Sequence, residues 1–132
     1  MIDLILTEEQ KRLQRDVRAL TDQRLIPIAH EVDEQEDVSL EVVKILAEAN
    51  LFRWLTTREF GGPADTVKAV PLCIIREELT RGCAQADTTF AMQGLGSYPI
   101  LQSGSPELVE RWIPEVRAGR AVAAFALTEP GA

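Results

Sequence analysis

The chain is poor in the residues that announce a function directly. Its 132 residues include two cysteines, Cys73 and Cys83, and one histidine, His30. The cysteine spacing fits no zinc-ligand pattern, and His30 lies far from both, so no metal site is expected. Unpaired cysteine is most often buried, and both thiols are expected to be free and buried. Basic charge is also short: 14 Lys and Arg stand against 21 Asp and Glu, a net charge of -7. That argues against a general nucleic-acid binder, which needs a basic surface to displace counterions. It leaves small anionic ligands open, because a single arginine or helix terminus can hold one. No apolar run approaches the ~20 residues of a membrane span. The opening Met1-Ile2-Asp3-Leu4 lacks a basic segment followed by a long apolar one, so no secretory signal is expected and the reading is cytoplasmic. What remains is an apolar fraction of 45% in a chain of single-domain size, enough for a real core.

Helix signals run along most of it. Thr7 and Gln10 sit where a capping box belongs, with Glu8 and Glu9 at the positive end of the dipole. Leu13, Val17 and Leu20 then share one face. Pro27 should break or kink that helix, with a second piece through Ile28 and Val32. Ser39 caps a helix whose inward face holds Val43, Leu46 and Ala47, flanked by Leu40 and Val42, and Asn50 stops it. Leu51 to Leu55 leads into a Gly61-Gly62-Pro63 turn. A helix over roughly Pro71 to Arg81 puts Leu72, Ile75 and Leu79 on one side and Glu77 and Glu78 on the other. Asp87 to Ser103 has no broad polar face and reads as the buried centre of a bundle. Gly94 and Gly96 there would let a backbone or ligand come close. Ser105-Pro106-Glu107 starts the last helix, Pro114 interrupts it and Gly119 ends it. The run Ala121 to Leu127 has no helix start and is bounded by glycine and proline, which predicts a strand. The fold class is therefore all-α: about six helices, several kinked, followed by one terminal β-strand. A lone strand has no partner for its backbone groups, so it expects a sheet that the chain does not contain.

Several motifs, in order, resemble the acyl-CoA dehydrogenase family. They are Leu6-Thr7-Glu8-Glu9-Gln10, Arg58-Glu59-Phe60-Gly61-Gly62, Ile75-Arg76-Glu77-Glu78-Leu79, Gly96-Ser97-Tyr98-Pro99-Ile100-Leu101 with Gly104, and Trp112-Ile113-Pro114 with Gly119. The last is Phe125-Ala126-Leu127-Thr128-Glu129-Pro130-Gly131-Ala132, which resembles the start of the family's flavin signature. Two departures stand out. Pro63 to Lys68 replaces a glycine-rich stretch of many relatives, and the signature stops before Gly-Ser-Asp. The resemblance implies an amino-terminal helical domain over 1–119 and the start of a middle β-domain over 120–132. It implies FAD as cofactor, an acyl-CoA substrate, electron-transfer flavoprotein or a similar acceptor, and a homo-oligomer.

It also implies site residues. Phe125, Leu127 and Thr128 match positions against the flavin ring, where backbone N–H groups and a hydroxyl can stabilise charge arriving on the flavin. Thr88, Ala91 and Leu95 match the wall of the acyl pocket, where small side chains leave room beside the helix. In the family a glutamate removes the acyl α-hydrogen, usually from the carboxy-terminal domain, and no residue here takes that role. Glu8, Glu9, Glu77 and Glu78 read as charged helix faces. The alternatives are an acyl-CoA oxidase or flavin-dependent monooxygenase on the same fold, or a helical interaction module. The expected continuation after Ala132 is Gly-Ser-Asp. Sequencing onward tests this, and a stop codon there would favour the interaction module.

Overall fold

The computed structural model describes residues 6–131, so Met1-Ile2-Asp3-Leu4 and Ala132 lie outside the described residues. Six α-helical segments follow one another: α1 (Glu8–Leu20), α2 (Ala29–Asp33), α3 (Leu40–Glu48), α4 (Ala69–Gly82), α5 (Ala84–Ser103) and α6 (Pro106–Arg117). Three starts are those the sequence marks, while α4 and α5 begin at Ala69 and Ala84, ahead of the expected Pro71 and Asp87. Thr7 and Gln10 form a reciprocal capping box, and the Ser39 and Ser105 hydroxyls accept from Val42 and Leu108 N–H. Each satisfies a donor that the first helical turn leaves free. Asn50 closes α3 in the left-handed region at φ 57°. Gly119, at φ 71°, closes α6: its N–H donates to Val116 O and that of Arg120 to Glu115 O, the paired bonds of a Schellman end.

Pro27 acts as expected, though the break is spread out. A π-turn over Thr21–Leu25 and a 3-10 turn over Ile26–Ile28 carry the chain from α1 into α2. Pro114 does not interrupt α6, nor Pro99 α5. Each removes one N–H, and the carbonyls four residues back belong to Glu110 and Leu95, both exposed, so little is lost.

The core is one cluster, with Val17, Leu25, Leu46, Phe52, Ile75, Leu79 and Phe90 at its centre. Phe52, on a 3-10 turn over Leu51–Leu55, stacks on Phe90 of α5 at 6.4 Å between ring centroids. Leu40, expected beside the inward face of α3, is exposed. Cys83 is buried, but Cys73 is exposed, against the expectation for both; each is free.

Glu78 departs furthest from its expected place on a solvated face. It is 1% exposed. Arg18 of α1 grips it with two bonds of 2.9 and 2.7 Å, and Arg81 adds a third at 3.3 Å while also reaching Asp22. Burial pushes the Glu78 carboxyl up, but hydrogen bonds and charge from Arg18 and then Arg81 outweigh this and hold it below the usual carboxylate range. The other expected charged faces hold: Glu8, Glu9 and Glu77 are exposed. A bidentate pair of 2.7 and 2.8 Å between Arg76 and Asp87 ties α4 to α5.

No strand forms among the described residues; residues 122–129 have no regular structure. The predicted strand lacks the neighbour that would make it one. Among the described residues no helix is long and apolar enough to cross a membrane, and no metal-ligand cluster forms.

Three outcomes follow from this packing. A carboxyl whose folded pKa is lowered stabilises the fold above its unfolded pKa and loses that contribution as pH falls through the folded value. The chain should therefore lose stability below about pH 4, the ordinary carboxylate range, and Glu78→Gln should flatten that fall while costing about 2 kcal/mol at neutral pH. Urea melts across pH check both. Phe90→Ala should cost about 3–5 kcal/mol in the same melts, because it opens a cavity under Phe52.

Candidate functional site

Helix α5 positions the site. Its buried residues include Ala86, Thr89, Phe90, Gln93 and Ser97, which face the bundle. The helix is not enclosed all round, as its apolar composition suggests: Leu95 and Tyr98 are 53% and 43% exposed. Their side of α5 borders an apolar cavity of about 510 Å³ between α4 and α5. Leu55, Leu72, Phe90, Ala91, Leu95 and Phe125 line it, with Cys73, Arg76 and Tyr98 supplying polar atoms. Asp87's hydrogen bonds raise the Arg76 pKa above its usual value, against the opposing effect of burial, so the guanidinium stays paired. Among the described residues no carboxylate lines this cavity.

The sequence-derived site residues divide on this geometry. Ala91, Leu95 and Phe125 come together around the cavity, although they lie on two separate segments. Thr88 is exposed and does not line it; its neighbour Thr89 is the one buried in the bundle. Leu127 and Thr128 are exposed beyond the cavity, on the irregular segment that leaves the bundle. Among the described residues, the backbone N–H groups of residues 124–129 have no acceptor. Glu129 is exposed on the same segment.

A second depression of similar size lies between the turn at Arg58–Phe60 and α6. Arg58, Glu59, Asp65 and Glu110 give it a charged lining, and Arg58 is already paired with Asp65 at 2.8 Å. Phe60, Leu101, Pro106 and Val109 add apolar surface between these charges, so its lining is mixed rather than continuously apolar.

Sequence reasoning missed Gln93. It is fully buried in the middle of α5, and its carboxamide holds the segment that follows α6. Nε2 donates to Ala121 O at 3.0 Å and to Val116 O at 3.3 Å, and the Ala123 N–H donates to Oε1 at 2.5 Å. The available signal was a single long polar side chain inside an otherwise small and apolar stretch, which needs partners if buried. Gly96, one turn on, meets the same segment. A Cβ there would stand 2.7 Å from Ala124 O and 2.8 Å from the Ala123 Cβ, so the close approach needs glycine.

The family described as "Acyl-CoA dehydrogenase, N-terminal domain" matches residues 7–120. The chain is 34% identical to cyclohexane-1-carbonyl-CoA dehydrogenase of Geobacter metallireducens, over 96% of this chain and 33% of that protein. In structure it matches an acyl-CoA dehydrogenase complexed with FAD from Bacillus anthracis, with TM-score 0.77 and 26% identity, over 96% of this chain and 22% of that one. It shares the fold of nitroalkane oxidase, with TM-score 0.74 and 22% identity, over 95% of this chain and 30% of that one. The chain spans about a third of the length of the curated relatives it matches. The match over residues 7–120, together with the shared helical architecture, places the chain in the acyl-CoA dehydrogenase family, with the fold of that family's N-terminal domain.

Proposed function

We propose that the chain serves an FAD-dependent acyl-CoA dehydrogenase that removes hydrogens from the α and β carbons of an acyl-CoA thioester. In this reading residues 1–119 are the helical domain and 120–132 enter a β-domain. The observation that carries it is the shared cavity. Ala91 and Leu95, read as acyl-pocket wall, and Phe125, read as flavin contact, line one apolar space from different parts of the chain.

The residues fit both groups. An apolar slot beside a helix with small residues at Ala91 and Gly94 suits an acyl chain, whose transfer from water is favourable in proportion to buried area. The N–H groups of residues 124–129, without an acceptor among the described residues, and the exposed Thr128 hydroxyl suit the polar edge of a flavin. FAD, when bound, supplies the acceptor for the hydride that leaves the β carbon. Phe125 and Leu95 would keep water from the acyl chain, and Thr128 with the adjacent N–H groups would donate hydrogen bonds toward the flavin edge. Thr88, one turn before Ala91, stays in the proposal as acyl-pocket wall through the family resemblance alone, since it does not line this cavity. The base is proposed to come from another part of the complete protein, in keeping with the absence of a carboxylate in this cavity lining. An electron-transfer flavoprotein or similar acceptor, and assembly as a homo-oligomer, belong to the same proposal. The nitroalkane oxidase likeness keeps a second reading in place: an oxidase on the same fold.

The 132-residue chain carries one edge of the proposed flavin site, so it should bind FAD weakly or not at all; near-stoichiometric FAD in its absorbance spectrum would refute this. In the complete protein, acyl-CoA added without oxygen should bleach the flavin. Turnover with oxygen as the preferred acceptor would favour the oxidase instead. Ala91→Phe should raise KM for acyl-CoA by about tenfold or more, the scale of a steric misfit in an apolar pocket.

A further inference from the structure

A segment leaving a helical bundle carries backbone groups that need partners. In this chain the partner is a side chain. The Gln93 carboxamide donates to Ala121 O and accepts from Ala123 N–H, so it brackets Val122. One residue of a neighbouring parallel strand makes that same pair of bonds, its N–H to the residue before and its C=O from the residue after. The second Nε2 hydrogen caps the Val116 carbonyl at the end of α6. Reversing the amide would set Nε2 against the Ala123 N–H, donor facing donor, so the network fixes its orientation. Gln93 is fully buried, which makes each of these bonds costly to lose.

The contact has a register. Ala121 and Ala123 are half-buried, while Val122 and Ala124 between and after them are exposed, the alternation of an extended segment. Gly96 provides the bare helix surface on which Ala123 and Ala124 lie. Phe125 follows Ala123 by two residues and reaches the cavity. A slip of one residue at Gln93 would turn that ring to the opposite side.

We infer that Gln93 is a positioning residue: its amide stands in for a neighbouring strand and, with Gly96, sets where residues 125–128 lie against α5. The role toward the flavin rests on the reading given under Proposed function; the seat itself does not.

Amide exchange by NMR on the 132-residue chain tests the seat without flavin. The Ala123 N–H should exchange at least about tenfold more slowly than those of Phe125 and Ala126, as a bonded and partly buried amide does. Gln93→Met, close in size but without the amide, should bring Ala123 to the rate of its neighbours while α1 and α4 keep their protection. Gly96→Ala, which favours the helix but crowds the segment, should do the same and serves if Gln93→Met does not fold. An Ala123 amide unprotected in the parent, or still protected in Gly96→Ala, overturns the seat.

The flavin-loaded complete protein tests the positioning role. Gln93→Met and Gly96→Ala should shift the flavin's visible absorbance and reduction potential. Leu79→Val, a core change on α4, should lower stability without either shift. An unchanged flavin in both seat variants overturns the positioning role. A parent protein that takes up no flavin refutes the functional reading instead, and the exchange result then still decides the seat.

Discussion

One buried amide joins the two halves of this structure. The helices satisfy their own backbone groups, but the segment after α6 cannot, and the Gln93 side chain completes it from the middle of α5. That single bonding arrangement dictates much else. It requires α5 to turn one side inward and leave the other beside the outgoing chain. It requires α6 to end close by, which the left-handed Gly119 allows. It brings Phe125 to the cavity that Ala91 and Leu95 border. An apolar residue at 93 would satisfy the core equally well and leave the segment without a seat.

Charge is used with similar economy. The chain is acidic overall, yet several of its arginines form ties between segments. Arg18 and Arg81 neutralise Glu78, the one acid buried among the described residues, and Arg76 with Asp87 closes the turn between α4 and α5. Removing a carboxylate from water is unfavourable unless its partners are well aligned, and the two-pronged contact from Arg18 meets that condition. These pairs fix how helices cross, which the non-directional apolar contacts leave loose.

The helical architecture was legible because its punctuation is chemical. Thr7, Ser39 and Ser105 cap, Asn50 and Gly119 stop, and each signal acts over a few residues. The pairing of Ala91 and Leu95 with Phe125 came from the family resemblance; neither segment alone indicates the other. What escaped depended on tertiary context. Glu78 sits beside Glu77 and looks like its twin, and only the arrival of Arg18 from a distant helix makes it interior. Thr88 and Thr89 are likewise indistinguishable until the rotation of α5 is known. Cys73 lies on a cavity rim rather than in the core, a place periodicity does not mark. Pro114 carries a helix-break signal, but it removes one N–H at a turn whose residue four back, Glu110, is exposed, and that setting is not written in the sequence. The terminal apolar run has strand composition, but a strand is a relation between two segments, and here a side chain takes the second place.

The Arg18 to Glu78 contact spans sixty residues and joins α1 to α4, whereas α4 with α5 and α5 with α6 pack as neighbours in the chain. Helix α1 leaves the ribosome before α4 and cannot complete its docking until α4 follows. At about 5–20 residues per second, its apolar stripe of Leu13 and Val17 waits roughly 3 to 12 seconds without its partner. Arg18 beside that stripe and Asp22 just after the helix, which later bind Glu78 and Arg81 of α4, keep the waiting surface charged. The residues that align two helices in the finished fold thus guard one of them while it is made.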